Sequence, residues 1–239
     1  HQNVFRTEHF LAFDNIKEIP KEYYTDHYGF SPAKAKLSLC KLSPYDETLY
    51  LDADGLCLGN LDSLFDKLKG SKFKSAEVKN YTQWATDEYF KEFFKVESTV
   101  TINTSWMYFE KTKVGNNEVF TQANKYFDKQ FDKGLDNKNL AQKWGKYLPD
   151  EMFFNASLSK LKLSVNEDNV MYLDTRGRNM QVKGLEDYSF ISYYGNQNNT
   201  SLLLREFYDK KVFVICEHFG IKSIFKMHDI MANKLVNQK

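Results

Sequence analysis

Cysteine is scarce in this sequence: Cys40, Cys57 and Cys216 are the three among 239 residues. Odd in number and without metal-ligand spacing, they fit reduced thiols better than a disulfide framework and favour a cytosolic setting. Proline is thin too, with four residues scattered along the chain. No linker, internal repeat or low-complexity tract divides the sequence, so one domain over 1–239 is expected, with 211–239 as a small appendage. An excess of one charge is also absent. Thirty-three basic and 32 acidic residues give a formal charge of +1, which removes any global attraction for nucleic acid or an anionic membrane. No apolar run is long enough to span a bilayer, and "HQNVFRTEHFLAFDNIKEIP" has no basic region ahead of an apolar core, as a secretory signal requires.

What the chain does have is apolar and aromatic content, 42% and 16% of its residues, sufficient for a sizeable core. Ser31 and Pro32 read as N-cap and first residue of a helix through about residue 42, with Ala33, Leu37 and Cys40 on its apolar face. "SPYDE" turns the chain, "TLYL" is a short apolar strand, and "GNLDSLFDKL" leads into a short helix. "STVTINTSWMYFE" has the β-branched and aromatic content of a strand. "NEVFTQANKYFDKQF" places Val119, Ala123, Phe127 and Phe131 four apart, an amphipathic helix. "PDEMFFNASLSKL" opens with Pro149 and two acids, as a helical first turn does. "DYSFISYYGN" and "KVFVICEHF" read as strands and "TSLLLREFYD" as a helix. Alternation of this kind predicts an α/β fold with a mainly parallel central sheet flanked by helices.

The chemistry concentrates in "ETLYLDADGLCLGN". Asp52 and Asp54 stand one position apart at the end of an apolar strand, and in a parallel α/β sheet that end faces the ligand crevice. Two carboxylates so close repel unless a cation lies between them. A hard divalent ion, Mn²⁺ or Mg²⁺, resolves the repulsion and leaves coordination positions for the oxygens of a diphosphate. A bare D-x-D is also compatible with an acidic surface turn, and the preceding apolar run argues against that.

Over "SPAKAKLSLCKLSPYDETLYLDADGLCLGNLDSLFD" the sequence resembles the central segment of family 8 glycosyltransferases of GT-A fold, the glycogenin and bacterial galactosyltransferase relatives. "INTSWMYFE" is similar to the family's Asn-Ala/Thr-Gly strand, "PDEMFFN" to its Asp-Gln-x-x-x-Asn helix start, and "SYYGNQN" occupies the place of its His-x-x-Gly-x-x-Lys motif. The resemblance runs from about residue 23 to 210. It implies a GT-A-like single domain with a nucleotide-sugar crevice at the carboxyl ends of the strands. It also implies metal-dependent transfer of a hexose from a nucleotide-diphosphate sugar, a UDP-sugar above others, to a hydroxyl acceptor on a glycan, protein or small molecule, with retention. Carried over, it assigns Asp52 and Asp54 to the metal and ribose, Lys34 to the donor diphosphate and Asn103 to the acceptor side. Ser192 and Gly195 fall in the last motif. Asp150 and Glu151 fall beneath the reacting sugar, where a carboxylate at 151 replaces an amide and is the better base or nucleophile.

Three departures stand against this. The family's histidine is Ser192 and its lysine is Asn198, which removes a metal ligand and a cation from the place where negative charge develops; Arg205, His218 and Lys222 are candidates to substitute from another direction. Only 51 residues precede Asp52, so either the N-terminal part of the fold is shortened or an N-terminal piece lies outside this chain, and the base specificity is open. A weakened relative that binds nucleotide sugar without turnover, or has a structural role, is therefore the alternative reading. A haloacid-dehalogenase-like phosphatase also uses D-x-D-G after an apolar strand, although Leu56 and the "GNLDSLF" continuation suit the transferase better.

Overall fold

The computed structural model describes residues 16–26, 29–52, 55–57, 61–77, 90–96, 100–112, 114–129, 149–165, 173–174 and 190–192. The chain divides into two compact units, one drawn from His1–Tyr50 and Lys69–Glu167, the other from Leu51–Leu68 and Asp168–Lys239. The expected appendage at 211–239 lies outside the described residues, as do the strand and helix expected after "SYYGN".

In the first unit, β1 (Thr25–Asp26) and β2 (Gly29–Phe30) form an antiparallel pair ahead of α1 (Pro32–Leu37). Ser31 caps α1, its Oγ accepting from the Lys34 N–H at 3.3 Å, with Pro32 at the first helical position. The expected helix through residue 42 is interrupted at Ser38, after which α2 (Leu39–Leu42) begins. The Ser38 hydroxyl donates to the Lys34 carbonyl at 2.8 Å and so competes for the helix's own acceptor. Ala33, Leu37 and Cys40 are buried across both pieces, on the face the spacing indicates.

Three strands follow in the spatial order β3 (Glu47–Leu51), β6 (Ile102–Glu110), β5 (Phe73–Glu77). Strands β5 and β6 are antiparallel. The Lys111 N–H donates to the Asp46 carbonyl at 2.7 Å, setting the start of β3 against the end of β6, so these two are antiparallel as well. The α/β class is as expected. Both neighbouring pairs in this sheet are antiparallel among the described strands, because β3 and β5 share a direction and the central β6 opposes both.

Strand β6 is irregular at one place. Ser75 pairs with Met107 while the next residue, Ala76, pairs with Asn103, so Thr104, Ser105 and Trp106 bulge out of the ladder. The Ser75 hydroxyl lies against both ends of the bulge, 2.6 Å from the Asn103 carbonyl and 3.0 Å from that of Trp106. An odd insertion reverses the in-out alternation of a strand. It returns Ile102 to the face of Met107 and Phe109, and all three enter one core.

That core is completed by α4 (Glu118–Lys129) and α5 (Asp150–Leu161). Phe154 stacks on Phe73 at 6.0 Å and meets Phe120 edge-on at 5.1 Å. Phe153 takes edge contacts from Phe127 at 5.3 Å and Phe94 at 6.2 Å. Asn117 ties α4 to the sheet: its Nδ2 donates to the carbonyls of Lys72 and Glu110 at 2.7 and 2.8 Å, and its Oδ1 accepts from the Val119 N–H at 3.0 Å.

The second unit holds a separate three-stranded sheet in the order β4 (Gly55–Cys57), β8 (Phe190–Ser192), β7 (Leu173–Asp174). β4 and β8 are antiparallel and β7 and β8 parallel. Its helix α3 (Leu61–Leu68) buries Leu64 and Leu68, four residues apart on one face.

Candidate functional site

In the first unit the β6 bulge, α1 and the start of α5 bring side chains together. Thr104 is fully buried, and its hydroxyl donates to Asp150 Oδ2 at 2.6 Å. Asp150 opens α5 behind Pro149, in a first turn where a carboxylate opposes the helix dipole favourably. The ammonium of Lys36 approaches from α1, 3.7 Å from the same Asp150 oxygen, 3.4 Å from Thr104 Oγ1 and 3.5 Å from the Thr104 carbonyl. It also lies 5.6 Å from the centre of the Tyr50 ring. Side-chain exposures of 17% for Lys36 and 16% for Asp150 place the pair at the edge of the core, where it is screened less than a surface pair.

Asn103, at the head of the bulge, is 2% exposed and accepts from the Ser105 N–H at 2.7 Å through Oδ1. That bond keeps the bulge closed on itself. The Trp106 indole Nε1 is buried in the same segment and has no hydrogen-bond partner among the described residues. Glu151 is half-buried one position after Asp150.

Lys34 is turned elsewhere, donating to the Thr25 carbonyl at 2.7 Å. Lys36 and Thr104 therefore join Asp150 without having been singled out in the sequence. Lys36 was hidden among the lysines of "AKAKLSLCK", and the signal for Thr104 was its place beside Asn103, within a motif read for the asparagine alone.

In the second unit, Asp52 follows the last residue of β3 and is half-buried. Asp54 lies outside the described residues, as does Gly195. Gly55 heads β4 opposite Ser192, and Ser192 is level with Asp174 on the other side. The register thus sets Gly55, the residue after the acidic pair in sequence, beside Ser192. No group of three His, Cys, Asp or Glu that could hold a metal is present among the described residues. Two aspartates one residue apart remain a hard-oxygen donor set suited to Mg²⁺ or Mn²⁺, which take the rest of their shell from ligand and water.

No helix among the described residues is long and apolar enough to cross a membrane. No protein-family model matches the chain, and no curated protein matches it. Solved structures to which it is similar include mouse xyloside xylosyltransferase 1 in its apo form, at 15% identity and TM-score 0.42 over 70% of this chain and 63% of that one. The chain thus spans less than two thirds of that enzyme's length. Another is the galactosyltransferase LgtC in complex with donor and acceptor sugar analogs, at 17% identity and TM-score 0.48 over 85% of this chain and 71% of that one. An active-site glutamine-to-glutamate mutant of LgtC is similar at 14% identity and TM-score 0.48, over 80% and 72% of the two chains.

Proposed function

We propose that this protein transfers a hexose from a nucleotide-diphosphate sugar, a UDP-sugar first among them, to a hydroxyl acceptor with retention of configuration. The observation that supports this most is the meeting of two segments that each resemble a different motif of family 8. "INTSW" and "PDEMFFN" are joined by the 2.6 Å bond from Thr104 to Asp150, 46 residues apart in sequence. In this reading Asp52 and Asp54 hold the divalent ion and face the donor diphosphate. When bound, the ion supplies Lewis-acid stabilisation of the leaving diphosphate. Asp150 accepts hydrogen bonds from the donor sugar, and Glu151 places a carboxylate under the carbon that develops positive charge. Asn103 lies toward the acceptor.

Calorimetric titration of uridine diphosphate with and without Mn²⁺, followed by a panel of nucleotide sugars assayed for release of the diphosphate, tests the proposal. Tighter binding with Mn²⁺ and release with at least one donor are expected. Equal affinity with and without the ion overturns the metal clamp at Asp52 and Asp54. Serine at 192 in place of the family's histidine favours a second reading, binding without turnover. Binding of donors with no release from any of them selects it.

A further inference from the structure

The Thr104 side chain stands between a cation and an anion. Its Oγ1 accepts from the Lys36 ammonium at 3.4 Å and donates to Asp150 Oδ2 at 2.6 Å, and the residue has no exposed surface. A hydroxyl has one proton to give. With Lys36 donating from one side, that proton is directed to the carboxylate. Both described contacts of Asp150 fall on Oδ2, which leaves Oδ1 without a hydrogen bond from any described residue.

The backbone that carries Thr104 is held as tightly as its side chain. Ser75 lies against the carbonyls at both ends of the bulge, and Asn103 Oδ1 takes the Ser105 N–H. The Ile102 N–H just before the bulge donates to Asn155 Oδ1 at 2.9 Å, and Asn155 lies on the same helix as Asp150. Thr104 and Asp150 are thus fixed to each other twice, once through the hydroxyl and once through the helix. A regular strand register at 103–107 would lack the insertion that sets Thr104 here.

We infer that Thr104 is a positioning residue: from the β6 bulge its hydroxyl locks Asp150 in one rotamer, with Oδ2 satisfied internally and Oδ1 reserved for a hydroxyl of the substrate. The inference rests on the sugar-transfer reading for what Oδ1 binds, and on geometry alone for the lock. Thr104 itself does not touch substrate. Its effect is transmitted through the carboxylate, so it belongs to orientation and not to the strength of diphosphate binding.

Thr104→Val keeps the shape and removes the hydroxyl, and Thr104→Ser keeps the hydroxyl. Uridine diphosphate affinity with Mn²⁺, measured calorimetrically, should agree within about twofold among parent and both variants. Thr104→Val should lower kcat by about tenfold to a hundredfold, the loss of one hydrogen bond to a charged group, and Thr104→Ser should recover most of it. A Thr104→Val enzyme with the parent's kcat overturns the inference, and so does a Thr104→Ser enzyme as slow as the valine variant. If the parent transfers no sugar, the proposed function fails separately. The lock is then read from crystal structures of the parent and Thr104→Val: a turned or disordered Asp150 carboxylate in the variant upholds it, and an unchanged one overturns it.

Discussion

Helices α4 and α5 are both twelve residues long and pack side by side, yet they are built on different plans. In α4 Val119, Phe120, Ala123, Tyr126 and Phe127 are buried while Thr121, Lys125, Asp128 and Lys129 are exposed, the stripe of a helix that covers a core. In α5 every residue from Met152 to Ser159 is buried, polar ones included. A helix inside the protein cannot leave a polar side chain unpartnered without a penalty. Its polar groups are used on the neighbours: Asn155 and Ser159 accept the N–H groups of Ile102 and Val100, each at 2.9 Å, and the Ser157 hydroxyl donates to the Val119 carbonyl at 2.7 Å. The helix that opens with Asp150 and Glu151 is thus fastened to the strand carrying the bulge.

The largest effect should come from emptying the α5 side of the core. Phe153 is fully buried and meets Phe94 and Phe127. Phe153→Ala should cost about 3–5 kcal/mol in urea unfolding, the range for a buried aromatic truncated without collapse. A loss under about 1 kcal/mol would break the distinction between the inner and the covering helix, since ordinary surface substitutions fall there.

Next in size is Asn155→Ala, which leaves the Ile102 N–H buried and unpaired at a cost of about 1–3 kcal/mol. Because the bond sets the entry to the bulge, this variant should also loosen β6. Faster amide exchange at 102–104, measured by NMR, checks the local effect. Unchanged exchange there, alongside the stability loss, would mean that Asn155 acts only through bulk packing.

The two helices also differ in how they could be read. The α4 stripe was visible as Val119, Ala123 and Phe127 at intervals of four, because periodic burial writes itself into periodic sequence. α5 has no such stripe, and only Pro149 and the two acids at its start mark it in the sequence. The bulge was not legible: "INTSWMYFE" is a good strand by composition, and the insertion depends on what β5 offers opposite it. The break at Ser38 is illegible for a related reason, since one serine in an apolar pattern does not disclose that its hydroxyl will take a helix carbonyl. The acidic pair stood out from its spacing, whereas Lys36 became distinct from Lys34 only when α1 was set against Thr104 and Asp150.

Alkaline titration should sharpen the contrast from outside both helices. Burial raises the Cys40 thiol above its ordinary 9.0, with Lys111, a backbone hydrogen bond involving Asn117 and Lys41 lowering it in part. Burial is also the first cause raising the Tyr108 phenol above its ordinary 10.0, followed by its hydrogen bond to Glu110 and that residue's charge. Both groups hold their proton more tightly folded than unfolded, so their contribution is whole below the unfolded pKa and is lost as pH rises through the folded one. The urea midpoint should therefore hold up to about pH 9 and fall above it. Tyr108→Phe, which cannot ionise, should flatten the decline, and a slope equal to the parent's would remove Tyr108 from the account.

The smallest effect belongs to the outer face of α4. Lys125 is exposed between the buried Ala123 and Tyr126, and alanine has the higher helix propensity. Lys125→Ala should change unfolding free energy by less than about 0.5 kcal/mol. The informative partner is Ser157→Ala on α5, a change of one oxygen. That oxygen is buried and donates to the Val119 carbonyl, so its removal should cost about 1 kcal/mol, more than the loss of the whole charged side chain outside. If the two variants unfold at the same urea concentration, the buried serine contributes no more than the solvated lysine. The polar residues of α5 would then be tolerated inside the core rather than used to fasten it.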